Sequence, residues 1–159
     1  VLRRRGELHP RLFPWVLLES SVYAVLFGTV VNTLVQWLGL GALLAAGFGP
    51  GNALVMSMGA GLYEEVVFRL LLMGGLYRLL SLRSGPTWWA GVLSLLVSSF
   101  VFSAIHHVGS LGEAFTLSAF IFRFVAGAVL AAIYALRGLG VAVYTHAIYD
   151  VIVLVVLAN

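Results

Sequence analysis

The chain has 159 residues, 62% of them hydrophobic and 9% charged, where a soluble domain carries about 25% charged residues, so it reads as one lipid-dwelling domain. A net charge of +3 comes from arginines scattered over connectors rather than gathered in a patch, which argues against nucleic acid as a partner. With no cysteine, disulfides, thiol nucleophiles and thiolate metal sites drop out together.

In chain order, residues 1–11 read as a short basic arm and 12–158 as one domain, an all-α polytopic transmembrane helical bundle of about five spans. Each span is near or above the roughly 20 residues a crossing requires. The first runs over 12–46, longer than one crossing needs, so it is either strongly tilted or ends near Trp37 and continues as a Gly-rich interfacial piece through Gly39 and Gly41. Phe48 to Asn52, with its Gly-Pro-Gly, reads as a turn. The second span covers 53–80 and the third 87–107, with Trp88 and Trp89 as interfacial anchors; the fourth covers 114–136 and the fifth 139–157. Arg3, Arg4, Arg5 and Arg11 precede the first span, Arg78 and Arg83 follow the second, and Arg137 follows the fourth. The connectors after the first and third spans hold no arginine. By the positive-inside rule the N-terminus is cytoplasmic and the C-terminus lies outside.

Ionisable residues inside such spans cost several kcal/mol and mark function. Glu64 and Glu65 sit in the second span with Arg69, and the i, i+4 spacing predicts a Glu65–Arg69 ion pair. Glu64 points about 100° away and has no partner on its own helix, which makes it the candidate general base. His106 and His107 end the third span; His106 is the better candidate, and His107 reads as interfacial. His146 and Asp150 share a face of the fifth span at i, i+4. Converging on a water-containing cavity, these groups could deprotonate water for attack on a carbonyl. Two histidines and a carboxylate are equally a zinc ligand set, and the residues alone leave that open. Arg123, inside the fourth span, is a candidate to pair with a carboxylate or to bind a substrate carboxylate. Glu19, Asn32 and Gln36 read as contacts between helices, and Tyr63, Tyr144 and Tyr149 as packing residues.

Glu64 to Arg69 matches EExxxR, Phe102 to His106 matches FxxxH, and His146 to Asp150 matches HxxxB, where B is Asn or Asp. In that order, each on its own span, they resemble the CPBP family of CAAX proteases and bacteriocin-processing enzymes, also called the Abi family. The resemblance implies an intramembrane endopeptidase of glutamic type, once regarded as metallo-type, in which Glu64 and His106 activate water and His146 with Asp150 supports the tetrahedral intermediate. It assigns Glu65 and Arg69 as the supporting pair and calls for no cofactor. The implied partners are the bilayer of a cell inner membrane and a membrane-anchored protein or peptide, cut near a C-terminal tail or leader; the oligomeric state is not implied. Asp at 150 departs from Asn, since a carboxyl donates to an oxyanion only when protonated, and it leaves orientation of His146 as the other role. Two other readings are a non-catalytic immunity or scaffold protein of the same fold and a proton-coupled carrier, the latter weak without repeated halves.

Overall fold

The computed structural model describes residues 10–37, 50–85, 87–109 and 112–156. Arg3, Arg4, Arg5, the Gly39 and Gly41 piece, Phe48 and Gly49 lie outside the described residues. A short 3-10 turn, Pro10–Leu12, leads into α1, Phe13–Trp37. One unbroken helical rod follows, made of α2, Pro50–Glu64, a π-helical segment, Glu65–Met73, and α3, Gly74–Ser84. Then come α4, Trp88–Ile105, α5, Leu117–Arg137, and α6, Leu139–Val151, which ends in a π-helical turn, Ile152–Val156. The fold is an all-α helical membrane bundle, and no strand occurs among the described residues.

Pro10–Val31, Trp88–Ile105 and Leu117–Arg137 are long and apolar enough to cross a membrane. The helix over Leu139–Leu154 is apolar but shorter. The rod over residues 50–84 is long enough but carries the charges of Glu64, Glu65 and Arg69.

Helix ends follow from local chemistry. Thr87 and Thr116 are extended N-cap residues whose hydroxyls accept from Ala90 N at 3.4 Å and Ala119 N at 3.1 Å, satisfying donors that the first turns leave free. Gly138 joins α5 to α6 at φ 92°, a left-handed conformation that only glycine adopts without strain, so the two helices turn back on each other within one residue. Two expected boundaries move. Pro50, Gly51 and Asn52 open α2 instead of forming a turn, as a proline in the first helical turn permits. Ala114 and Phe115 precede α5, which begins after the Thr116 cap.

The bundle has two interiors. Between α1, α5 and α6 lies an apolar core of Phe27, Val31, Ala126 and Leu130, with the Phe27 ring edge-on to Tyr149 at 4.6 Å. Tyr144 packs the same way on Phe13 at 5.8 Å, whereas Tyr63 is exposed. Between the rod, α4, α5 and α6 the interior sets the Phe68 and Phe102 rings beside buried polar groups, Glu65, Arg69, Ser98, Ser99, Ser103, Thr145 and His146. A Cβ on Gly127 would meet the Phe102 ring at 3.0 Å and Ser99 Cα at 3.3 Å, so α4 and α5 approach this closely only because that residue is glycine. Leu and Val side chains such as Val25, Leu71 and Leu96 cover the outside, as a lipid-facing surface requires. Glu19, on α1, accepts from Arg137 Nη2 at 2.9 Å and ties the start of α1 to the end of α5.

Candidate active site

The π-helical segment begins at Glu65, directly after Glu64. Its register shows at the far end, where Gly74 N–H donates to the Arg69 carbonyl five residues back. Widened turns of this kind free carbonyls from the α pattern, and here Ser98 Oγ of α4 donates to the Phe68 carbonyl at 2.6 Å. Nothing in the hydropathy pattern signals either feature.

The two glutamates part as their spacing requires. Glu65 turns into the bundle, fully buried, with Oε2 at 3.1 Å from Arg69 Nε, an ion pair slightly off hydrogen-bond alignment. Arg69 also donates through Nη2 to the Gly127 carbonyl at 3.2 Å and lies 4.5 Å above the Phe102 ring. Both charges are therefore held by partners on three helices. Glu65 has a second partner that sequence reasoning missed: its Oε1 lies 2.9 Å from His146 Nδ1. The Glu65 carboxylate is an acceptor, so Nδ1 donates and Nε2 of His146 faces the other way.

Glu64 turns toward a less enclosed region, its side chain 20% exposed. Its Oε1 lies 3.6 Å from His106 Nε2 and its Oε2 lies 3.8 Å from His146 Nε2. Asp150 Oδ2 lies 3.6 Å from the same His146 nitrogen. These separations slightly exceed a direct hydrogen bond, and a water serving more than one of these groups lies to one side of them rather than between them. α4 ends at Ile105, and His106, the first residue of the turn over 106–109 that follows, still reaches Glu64. The orientation of His106 is set locally: Nδ1–H donates at 2.6 Å to the carbonyl of Phe102, four residues back, one of the acceptors left over at a helix end. That leaves Nε2 of neutral His106 as a lone pair aimed at Glu64. The structure thus brings Glu64, His106, His146 and Asp150 into one cluster from three helical stretches, with Glu65 and Arg69 directly behind it. Among the described residues no group of three or more His, Asp or Glu side chains is arranged to hold a metal ion.

Arg123 stands beside the cluster but is engaged. Its Nε and Nη2 donate to the two carboxylate oxygens of Glu113 at 2.8 and 2.7 Å, a bidentate pair that closes the α4–α5 connection onto α5. Glu113 N–H donates to the His106 carbonyl at 3.0 Å, so the same clamp braces the turn that carries His106. His107 is no loose interfacial residue: its side chain is 6% exposed, its Nδ1–H donates to the Glu113 carbonyl at 3.4 Å, and its ring stacks on Phe120. The hydrogen bonds from Arg123 hold the Glu113 carboxyl below the usual carboxylate range. Depression of a folded-state pKa means the contact stabilises above the unfolded carboxyl value, about 4.3, and is lost as pH falls through the lower folded value. Glu113→Gln is accordingly expected to lower the unfolding temperature at neutral pH, with the gap to wild type closing in acid. Thermal unfolding of the detergent-solubilised protein at both pH values checks this, and an equal gap at both would refute the clamp's ionic character.

Among families of known proteins, one whose model is described as Type II CAAX prenyl endopeptidase Rce1-like matches residues 47–152, about two thirds of the chain. The match spans all three motifs. This chain belongs to that family. No curated protein and no solved structure matches it. The Rce1-like chain is therefore a membrane protein of a CAAX-type endopeptidase family, whose substrates are membrane-associated.

Proposed function

We propose that this Rce1-like protein is an intramembrane endopeptidase that hydrolyses a peptide bond of a membrane-anchored protein or peptide, with water activated by Glu64 and His106. The observation that carries the reading is the approach of Glu64 Oε1 to within 3.6 Å of His106 Nε2, two acceptors close enough to bind the two hydrogens of one water lying beside them. A water donating both its hydrogens to them turns its lone pairs outward, toward a carbonyl carbon. As its oxygen attacks, Glu64 takes one proton and a tetrahedral oxyanion forms. Glu64 then returns that proton to the departing amine nitrogen as the C–N bond breaks. In this reading His146, 3.8 Å from Glu64, and Asp150, 3.6 Å from His146, serve the oxyanion. Since His146 Nδ1–H is committed to Glu65, donation from its Nε2 requires the imidazolium form. The chemistry uses a carboxylate, imidazoles and water, and calls for no cofactor. The proposed setting is a cell inner membrane, crossed several times, with the N-terminus in the cytoplasm.

A comparison of cells producing wild type with cells producing Glu64→Gln tests the reading. Mass spectrometry of membrane and exported fractions is expected to find at least one precursor whose cleaved form depends on the wild type, and identical termini in both would sink the proposal. The role of Asp150 is separable. An amide at that position supplies an N–H to the oxyanion without a titratable proton, so Asp150→Asn is expected to retain cleavage within about tenfold, while Asp150→Ala loses about 10²–10³-fold. Complete loss in Asp150→Asn would refute the donor role and leave the carboxylate as the group that orients His146.

A further inference from the structure

The polar groups of the site are not evenly enclosed. Side-chain exposure is 0% for Glu65 and Arg69, 9% for His146, 20% for Glu64 and His106, 23% for Asp150 and 36% for Glu113. Glu64 differs from its neighbour Glu65 by the face of the rod it occupies. The remaining order, from Glu65 and Arg69 through His146 to Asp150 one turn further along α6, and to His106 and Glu113 beyond the end of α4, runs along the bundle axis. Glu65 and Arg69 lie level with Gly127, near the middle of α5, whereas Glu113 sits in the connection that precedes α5. His106 follows the last residue of α4, and at 1.5 Å per residue that 18-residue helix places it roughly 27 Å from Trp88. The cluster therefore opens toward the end of the bundle formed by the α4–α5 connection and is sealed toward the other end.

The sealed end is the basic one. Arg11 precedes α1, Arg78 and Arg83 lie on α3, and Arg137 closes α5, all at that end of their helices. Among the described residues the open end has one arginine, Arg123, and Glu113 neutralises it bidentately. Arginine asymmetry across short connectors sets which end stays in the cytoplasm.

We infer that the site is reached from the non-cytoplasmic side, so that its substrate is a translocated polypeptide presenting the scissile bond at the outer half of the bilayer next to its own membrane anchor. The substrate part rests on the protease reading; the direction of access does not. A soluble cytoplasmic protein with a lipidated tail presents its bond on the wrong side, at the end where Glu65 and Arg69 are fully buried.

The absence of cysteine makes the test direct. Val108 and Ala114 are exposed at the open end, Leu82 and Leu136 at the sealed end. Single variants Val108→Cys, Ala114→Cys, Leu82→Cys and Leu136→Cys of the full chain are treated with a membrane-impermeant maleimide in intact cells, or spheroplasts where an outer membrane intervenes. Labelling at 108 and 114 is expected without permeabilisation, and at 82 and 136 only after it. The reverse pattern, or equal labelling at both ends, overturns the inference. The same cells, compared with Glu64→Gln by mapping cleaved termini, give the second arm. A cut bond on the translocated side of its precursor supports the substrate class, and one on the cytoplasmic side overturns it while leaving the protease reading intact. Absence of any cut dependent on Glu64, with the labelling as expected, refutes the protease reading and the substrate part with it, and leaves the direction of access standing.

Discussion

Glu64→Gln is expected to slow peptide-bond cleavage by about 10²–10⁴-fold, the range that a positioned general base contributes. The amide has the size and much of the hydrogen-bonding capacity of the carboxyl, but it does not take a proton from water. Glu64 is partly open and meets its histidines at 3.6 and 3.8 Å, so no tight internal contact is lost and the bundle should fold as wild type does. Two measurements decide the matter together: the rate of precursor processing and the thermal unfolding of the solubilised protein. Cleavage within threefold of wild type by a folded Glu64→Gln variant would remove this residue from the chemistry. A variant that neither folds nor cleaves directs the same question to His106→Gln, whose side chain lies at the bundle's open end.

The largest loss of stability is expected from Arg69→Met, about 3–5 kcal/mol, the cost of removing one partner from a buried ion pair. The guanidinium is fully buried, pairs with Glu65, donates to the Gly127 carbonyl and rests on the Phe102 ring. Methionine fills part of the volume and leaves the Glu65 carboxylate enclosed with only His146 Nδ1–H for company. Adding Glu65→Gln removes the stranded charge, so the double variant should recover part of the loss. Equilibrium unfolding of wild type, the two single variants and the double variant gives the coupling directly. A loss below about 1 kcal/mol in Arg69→Met would mean that water reaches the pair, contrary to its burial. Activity should fall as well, because Glu65 fixes which nitrogen of His146 faces Glu64.

Much of this arrangement is legible in one dimension, for a reason specific to lipid. In a bilayer a charged residue is expensive wherever it sits, so Glu64, Glu65, Arg69, His146 and Asp150 stand out against their apolar neighbours without knowledge of the fold. The i, i+4 pairings of Glu65 with Arg69 and of His146 with Asp150 follow from helical geometry alone, and both partners are within 3.6 Å. Pairings between helices are another matter. Glu113 and Arg123 lie ten residues apart across the entry to α5, and Glu65 and His146 are separated by 81 positions, so no periodicity relates them. Arg123 was open to two readings, a carboxylate partner or a grip on substrate, and only the course of the α4–α5 connection places Glu113 against it. The π-helical segment is equally hidden, because its residues Glu65–Met73 have the composition of ordinary α-helix and the hydrogen bond to its Phe68 carbonyl comes from Ser98 of another helix.

Sequence alone determined that this chain is an all-α membrane bundle and which side chains are too costly in lipid to be idle, because hydropathy and burial cost are properties of single segments. Tertiary structure alone decided which nitrogen of each histidine faces Glu64, which end of the bundle opens and that Arg123 is already held. Those outcomes depend on where a carbonyl of one helix, or a carboxylate of another, happens to be within 3 Å or so of a donor, and such meetings are products of packing.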